Sequence, residues 1–312
     1  MDIGRAVKKY VFQILESRPL LKSVLHKLRL LKWRLFRRSE GEEILKLRFQ
    51  RLFETELNLK NPQLFSEKLF CKMVALNRQN DPLLTQLVDK YLVRDWIKEK
   101  IGEEFLVKLL WHGDKPNRIP FDTLPNQCVV KTNHGSGQVI VKDGSIDPDE
   151  IVKKVGNWLG ENFYYVAREY QYFGVKPRIL VEEYLVDGFP EGPLDYRFWC
   201  FEGRVKVIQV DDHSHEINPF YDIHWNQLDM RYRKNMRHRV IPRPSQLAAM
   251  INIAQKLSLG FDFVRVDLYN INGRILFGEM TFTPVGGQIK FEPRNWDIEL
   301  GKIWRVDSKY QL

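Results

Sequence analysis

The stretch DFVRVDLYNINGRILFGEMTFTP, residues 262–284, constrains the fold of this chain more than any other. Two arms rich in Phe, Val, Ile, Leu and Met flank an Asn-Gly pair, which favours a β-hairpin turn. Three charged residues, Arg265, Asp267 and Glu279, interrupt those apolar arms. Because strand residues two apart share a face, Arg265 and Asp267 point the same way.

The position of Glu279 depends on the turn. A two-residue turn pairs residue 271 with 274 and puts Asp267 and Glu279 on opposite faces. A three-residue turn instead puts Glu279 opposite Arg265. Two carboxylates and a guanidinium on one face would make a poor core, but they would suit divalent cations and phosphate oxygens.

The positive charge of the chain is concentrated at its N-terminus. The net charge is +9, and residues 1–40 hold eleven Lys or Arg against three acids, so the rest of the chain is close to neutral. By this measure the body is not a polyanion binder, and no nucleic-acid partner is expected. In 3–16 and 20–36, apolar residues recur at helical spacing with basic residues between them, a pattern typical of a helix on anionic lipid. A helix packed on the body or on a partner, with a solvated basic face, is the alternative.

The sequence predicts no transmembrane helix, because no run of 18 apolar residues occurs. The N-terminus lacks the continuous apolar segment of a secretory signal, and the three cysteines lie far apart. We therefore expect a cytoplasmic protein, peripheral at the inner face of the membrane if residues 1–38 bind lipid.

A glycine-rich hairpin also indicates a phosphate site. In VVKTNHGSGQVIV, Lys131 stands on a predicted strand just before Gly135, Ser136 and Gly137. Glycines let backbone N–H groups approach phosphate oxygens, and a lysine adds a positive charge. The lysine precedes the glycines, so the motif is not a P-loop. A plain glycine hairpin is the alternative.

Three weaker signals occur elsewhere. RILVEEYLVDG is an apolar strand ending in Glu182 and Glu183, which suits the edge of an adenine site or a strand that runs into solvent. In QLVDKYLVRDW, Lys90 and Arg94 share one helix face, which by default is a solvated basic stripe. The D-x-D that begins at Asp147 is a pattern used by metal-dependent glycosyltransferases, but a helix N-terminal cap explains it better.

The patterning along the chain predicts an α+β fold with mainly antiparallel sheets and flanking helices. Helices are expected at 84–101 and 148–174, a strand at 103–111, and a long functional loop at 211–243. Four parts are predicted: a basic helical leader (1–40), a helical and α+β lobe (41–126), a central subdomain with the glycine loop (127–186), and a C-terminal subdomain with the metal site (187–312).

The order of these parts resembles the ATP-grasp fold, and in particular the TupA-like ATP-grasp family. The resemblance covers about residues 60–300 and excludes the leader. The matching stretches are NPQLFSEKL (61–69), DKYLVR (89–94), VVKTNHGSG (129–137), VEEYL (181–185), DYRFWCFEGRVKVIQVD (195–211), GFDFVRVDLYNINGRILFGEMTFTP (260–284) and the Trp-Asp at 296.

The resemblance implies roles for particular residues. The implied ligands of ATP are Lys90, Lys131, Gly135, Ser136, Gly137, Glu182, Glu183, Leu185 and Asp195. The implied catalytic residues are Arg265 and Lys131, and the implied ligands of one or two Mg²⁺ ions are Asp267, Glu279 and Thr281. ATP-grasp enzymes commonly have Asn where this chain has Thr281, which bears on the second metal. Candidates to receive an acidic acceptor are Arg197, Lys206, His213 and Lys290.

The activity implied by the resemblance is ATP-dependent ligation of a carboxylate to an amine through an acyl phosphate. The family is associated with bacterial cell-surface polysaccharide and teichuronopeptide synthesis. The expected partners are therefore a uronic acid of a capsule, O-antigen or teichuronic-type glycan, or its precursor, and an amino acid or amine. A glycosyltransferase of capsule or O-antigen biosynthesis is the first alternative, and a non-catalytic nucleotide-binding membrane adaptor is the second.

Overall fold

A computed structural model describes residues 37–187, 192–212, 218–232 and 240–312. The chain separates into two compact units, Met1–Ile44 and Leu45–Leu312. The helices expected at 3–16 and 20–36 lie outside the described residues. Within the described ranges, no helix combines the length and the apolar composition that a bilayer crossing requires.

Asp and Asn side chains set the ends of several helices. Asp81 caps the helix Pro82–Val88 by accepting the backbone N–H groups of residues 83 and 84. Asp147 caps the helix Pro148–Leu159 by accepting that of residue 149, as the D-x-D pattern predicted. The described helices are α1 (Arg37–Phe53), α2 (Phe65–Arg78), α3 (Pro82–Val88), α4 (Val93–Lys100), α5 (Pro148–Leu159), α6 (Tyr164–Ala167), α7 (Leu247–Ser258) and α8 (Asn295–Ile303).

Two predicted helices are shorter than expected. The helix expected at 84–101 is divided into α3 and α4, because the Asp89 side chain accepts the N–H groups of residues 91 and 92 and starts a new turn. The helix expected at 148–174 is only as long as α5: it ends at Leu159, and Gly160 forms its C-terminal cap. Asn162 then bonds to the N–H of residue 164 and the carbonyl of residue 173, which folds the following segment back on itself.

Two antiparallel sheets form the body, which confirms the predicted α+β class. The strand expected at 103–111 begins late, after a 3₁₀ turn at Glu103–Phe105. The small sheet has the order β1-β4-β2-β3, with β1 (Leu109–Gly113), β2 (Cys128–Thr132), β3 (Val139–Lys142) and β4 (Ile179–Glu183). The large sheet has the order β10-β9-β5-β6-β7-β8, with β5 (Asp195–Phe201), β6 (Arg204–Asp211), β7 (Phe220–Tyr221), β8 (Gln227–Leu228), β9 (Phe263–Ile271) and β10 (Arg274–Thr281).

The two faces of the large sheet differ. One face packs its apolar side chains, among them Phe198, Val266 and Leu268, into the same core cluster as residues of α7. The other face is apolar at one end only, where Trp199 and Phe263 pack against the buried Trp304. At the opposite end of that face the side chains are charged. The period of two along each strand therefore supplies both a core and a polar site.

Candidate active site

A β-bulge determines which face of the late hairpin Glu279 occupies. Both turn residues have positive φ (51° and 84°) and residue 271 pairs with 274, so the turn has two residues and the three-residue alternative is wrong. With this turn, an uninterrupted series of β9–β10 pairs would place Asp267 and Glu279 on opposite faces of the hairpin. The register shifts at Gly278, however, and Glu279 pairs directly with Asp267. The two carboxylates therefore share a face, by a route the sequence analysis did not anticipate.

The bulge has little room for a side chain. A Cβ atom on Gly278 would lie 3.1 Å from the carbonyl oxygen of Asp267 and 3.3 Å from the Tyr269 ring. A glycine within a strand pattern is a known signal of a bulge or of close backbone approach. The bulge could therefore have been predicted from Gly278 in the sequence.

Arg265 is the centre of the charged cluster. Its Nε and Nη2 donate to the two oxygens of Asp267 at 2.7 and 2.5 Å. Nη2 also lies 3.2 Å from Glu279 Oε1 and 3.1 Å from Thr281 Oγ1, and the Thr281 hydroxyl donates to the same Glu279 oxygen at 2.9 Å. Among the described residues, Nη1 of Arg265 has no hydrogen-bond partner, which leaves it able to donate to a substrate.

A second arginine extends the cluster across the sheet. Arg197 lies opposite Asp267 on β5, with its Nε 3.8 Å from the carboxylate of that residue. The same Nε donates to Asp195 at 2.9 Å, and Nη1 donates to Asp211. The second oxygen of Asp195 is buried and has no hydrogen-bond partner among the described residues. At this polar end of the sheet, a buried carboxylate oxygen therefore lacks a hydrogen-bond donor among the described residues.

Burial and neighbouring charges separate the two central carboxylates. Burial raises the pKa of Asp267 to about 7 even though Arg265 opposes the shift. Burial also acts to raise the pKa of Glu279, but Lys90 and Arg265 outweigh it and lower that pKa to about 2. One carboxylate is therefore firmly ionised and the other is costly to ionise, an imbalance that a cation would relieve.

A cleft of about 390 Å³ lies between the two sheets. Its walls are largely apolar and include Val129, Val139 and Leu185 from or beside the small sheet, and Tyr269 and Phe277 from the large one. A mainly apolar cleft with a few convergent polar groups is typical of a cofactor or nucleotide site.

The predicted lysines lie in this cleft. Lys131 Nζ is 2.5 Å from Glu182 Oε2, and the other oxygen of Glu182 lies 3.4 Å from Arg94. Lys90 Nζ donates to the carbonyl oxygen of Gly135 at 2.9 Å and lies 3.7 Å from Glu279 Oε2. Lys90 therefore connects the glycine loop, the cleft and the carboxylate pair.

Asn133 holds the Lys90 segment against the glycine loop. Its amide nitrogen donates to Asp89 at 2.9 Å, its side-chain oxygen accepts the N–H of Arg178 at 2.7 Å, and its carbonyl accepts the N–H of Lys90. Sequence analysis missed this positioning residue although it lies within VVKTNHGSG. Its partners are 44 and 45 residues away in the chain, so no local pattern indicated them.

A buried acid lies beyond the end of β10 and was also missed. Thr283, two residues after Thr281, donates a hydrogen bond to Glu169 and accepts one from Gln171 at 2.6 Å. Burial raises the pKa of Glu169 to about 7. The neighbouring 3₁₀ turn, Pro284–Gly287, contains Val285 at φ 55°, an unusual conformation for a β-branched residue.

The remaining predicted residues lie in different places. Glu183 also lines the cleft, whereas Asp195 contacts Arg197 and is not part of the cleft wall. Lys206 lines a separate groove and Lys290 is exposed. Ser136 and Gly137 are exposed, and Gly137 has φ 72°. His213 lies outside the described residues.

Comparison with known proteins gives one family and several distant structures. No curated protein sequence matches the chain at a significant level. The chain is similar to the ATP-grasp ligase PsnB complexed with precursor peptide PsnA2 and AMPPNP (11% identity, TM-score 0.38, covering 68% of this chain and 57% of that one). It is also similar to D-alanine–D-alanine ligase from Bacillus anthracis (17% identity, TM-score 0.44, covering 71% and 68%) and to L-amino acid ligase from Bacillus licheniformis (15% identity, TM-score 0.44, covering 79% and 55%). This chain thus spans less than two thirds of the PsnB chain and of the L-amino acid ligase chain.

The family match extends over most of the described body. The model of the TupA-like ATP-grasp family matches residues 67–305, which include the glycine loop, β4 and the whole late hairpin. The chain therefore belongs to the TupA-like ATP-grasp family.

Proposed function

We propose that the protein is an ATP-dependent carboxylate–amine ligase that forms an amide through an acyl phosphate. One observation supports this most directly. Lys90 lines the apolar cleft and also lies 3.7 Å from Glu279. A nucleotide whose phosphates reach Lys90 therefore has its terminal phosphate beside the paired carboxylates, where phosphoryl transfer needs cationic neutralisation and in-line positioning.

The cleft has the features that ATP requires. Apolar side chains of the two sheets would enclose the adenine, and the strand end at Glu182 and Glu183 would offer backbone groups and carboxylates to its edge. Lys131 and Lys90 would neutralise the phosphates. Lys131 is paired with Glu182 at 2.5 Å, so we infer that the phosphates of ATP would compete with this acid for the lysine.

The carboxylate pair fits Mg²⁺, which ATP-grasp ligases use. Mg²⁺ is usually held by one or two carboxylates together with substrate phosphates, and not by a cage of protein groups alone. The described ranges contain no group of three or more Asp, Glu, His or Cys side chains that could hold a metal. Asp267 and Glu279 would hold the ion with the Thr281 hydroxyl beside them. When bound, the ion neutralises phosphate charge and orients the transferred phosphoryl group.

The reaction then proceeds in two displacements. An oxygen of the substrate carboxylate bonds to the γ-phosphorus as the bond to the β–γ bridging oxygen breaks, and ADP leaves with that electron pair. The amine nitrogen next bonds to the acyl carbon, the carbon–oxygen bond to the phosphate breaks, and inorganic phosphate leaves as the nitrogen loses a proton. Arg265 would donate through Nη1 to the oxygen that gains negative charge in each step.

The narrower proposal is that the carboxylate belongs to a uronic acid of a bacterial surface polysaccharide and that the amine belongs to an amino acid or another small amine. The association of TupA-like proteins with teichuronopeptide and surface-glycan synthesis supports it. Among the predicted acceptor contacts, Arg197 lies in the charged cluster, where it donates to the carboxylates of Asp195 and Asp211. Arg197 would therefore hold the cluster in place, and it would not bind the acceptor by itself.

The test is release of ADP and phosphate that requires both a carboxylate and an amine. Uronic acids and amino acids are screened in pairs with ATP and Mg²⁺, and the amide is identified by mass. Asp267→Asn should abolish release, whereas Lys153→Ala, an exposed position on α5, should not change it. Release of a nucleoside diphosphate from a sugar nucleotide, with none from ATP, would instead establish the glycosyltransferase alternative.

A further inference from the structure

A second concave site lies at the far end of the large sheet from the carboxylate pair. This groove, of about 480 Å³, is lined by Arg204, Lys206, Lys302 and Arg305, with Glu202 as its one acid. The register places Arg197 opposite Asp267 and Phe201 opposite Phe263. Four residues of strand, about 13 Å, therefore separate the carboxylate pair from the turn that forms the groove.

The groove is built on rigid elements. Arg204 begins β6 directly after a two-residue turn in which both residues have positive φ (48° and 77°). Lys206 is the residue left unpaired where the β5–β6 register shifts, so it projects from a bulge. Lys302 and Arg305 flank Trp304, which is fully buried against Phe263. The backbone of all four cations is thus held by the sheet or by a buried anchor.

The cations of the groove are poorly neutralised. Arg204, Lys206 and Arg305 have no carboxylate partner among the described residues, and Lys302 has only the exposed Glu299 at 2.8 Å on its own helix. Exposed pairs of this kind contribute little. The chain beyond its leader is close to neutral overall. Its net charge therefore does not reveal that four cations surround one groove. The expectation that the body binds no polyanion was based on this net charge alone.

We propose that this basic groove binds the carboxylates of an extended acidic glycan, as a second contact for the acceptor whose reacting uronic acid enters the active site. The proposal rests on the proposed function. Arginine forks suit carboxylates, and Ile303, which is 37% exposed in the groove, offers an apolar surface to a sugar ring. The straight line of about 13 Å to the reacting centre passes the buried Phe263 and Trp304, so the glycan runs around this packed end of the sheet and reaches the groove several sugar units from the reacting one. A tethered second contact of this kind raises the effective concentration of the first.

The test measures polymer binding directly. The probe is polygalacturonate, titrated against the full-length protein without ATP, at low and moderate salt. The double substitution Arg204→Ala/Arg305→Ala should weaken binding about tenfold, since two charged contacts to the polymer are lost, and should reduce its salt dependence. The matched control is Lys153→Ala/Lys154→Ala, two exposed lysines on α5. Amide formation from monomeric galacturonate should be unchanged in both.

Four outcomes distinguish the possibilities. Equal polymer affinity of the double variant and wild type would overturn the groove as a binding site. So would an equal loss in the α5 control, because general charge would then explain binding. Loss of binding to phosphatidylglycerol vesicles without loss of polymer binding would make the groove a lipid contact and also overturn it. If no uronic acid forms an amide but the double variant still binds polymer more weakly, the groove stands and the substrate proposal fails.

Discussion

Neutralising the two carboxylates of the hairpin should abolish activity in both cases but change stability in opposite directions. Glu279 has its pKa lowered from 4.5 to about 2, so the fold favours its ionised form. At 1.36 kcal/mol per unit the shift is at most about 3.4 kcal/mol. The side chain is 38% exposed, and solvent screening reduces the expected loss for Glu279→Gln to about 1–2 kcal/mol.

Asp267 should behave in the opposite way. Burial raises its pKa from 3.8 to about 7, so above pH 7 the fold holds a carboxylate that it disfavours. The corresponding cost is at most about 4 kcal/mol, and it is partly offset by the charge-assisted bonds from Arg265. Because the amide oxygen of an asparagine can still accept one of those bonds, Asp267→Asn should leave stability at pH 8 unchanged or raise it by about 1 kcal/mol.

The assay is urea unfolding in EDTA at pH 8, repeated at pH 4, together with amide formation in Mg²⁺. The contribution of Glu279 is full above pH 4.5 and is lost as pH falls toward 2, whereas the penalty at Asp267 is absent below pH 3.8, grows as pH rises to about 7 and is constant above that pH. Each variant should lose at least about 100-fold in rate. A destabilisation of Asp267→Asn at pH 8 as large as that of Glu279→Gln would refute the charge assignment, and full activity of either variant would refute the metal role.

Three further predictions concern other parts of the chain. Burial raises the pKa of Glu169 from 4.5 to about 7, so stability should fall as pH rises through that interval, and Glu169→Gln should flatten the fall by at most about 3 kcal/mol in urea unfolding. Gly278→Val should cost about 1–3 kcal/mol, because its Cβ would meet the Asp267 carbonyl at 3.1 Å, and should lower the ligation rate more than Gly137→Ala. Deleting residues 1–38 should release the protein from anionic vesicles without loss of ATP binding. Unchanged vesicle binding would leave the leader as a packing element.

Local sequence signals predicted the elements well where the determining contacts are local. The Asp147 cap, the glycine hairpin and the two arms of the late hairpin all follow from neighbouring residues, and the structure confirms them. The division of the 148–174 helix was missed because Asn162 acts through a carbonyl eleven residues away. The shared face of Asp267 and Glu279 was expected only with a three-residue turn, whereas the structure reaches it with a two-residue turn and a bulge.

Distant contacts explain what the sequence did not reveal about the site. Lys90 and Lys131 were expected in one site, but their connection depends on Asn133, whose side chain joins Asp89 to the segment at residue 178. Lys206 was predicted to contact the acidic acceptor together with Arg197, but it lies at the end of β6 that forms the basic groove, whereas Arg197 lies beside Asp267. A strand rises about 3.3 Å per residue, so residues near the two ends of one sheet reach different sites, and the acceptor role of Lys206 stays a prediction.

Arg265 connects the stability of the charged cluster with its proposed chemistry. Its guanidinium satisfies Asp267 through two bonds and also contacts Glu279 and Thr281, so one positive charge is shared between two carboxylates. The Thr281 hydroxyl gives its single proton to Glu279 and accepts from Arg265, so it fixes both groups while adding no charge. Each carboxylate oxygen can accept more than one contact, and an incoming cation can therefore share these acids with the arginine. Under the proposed function, such sharing would keep Arg265 beside the transferred phosphoryl group, where negative charge develops, instead of displacing it.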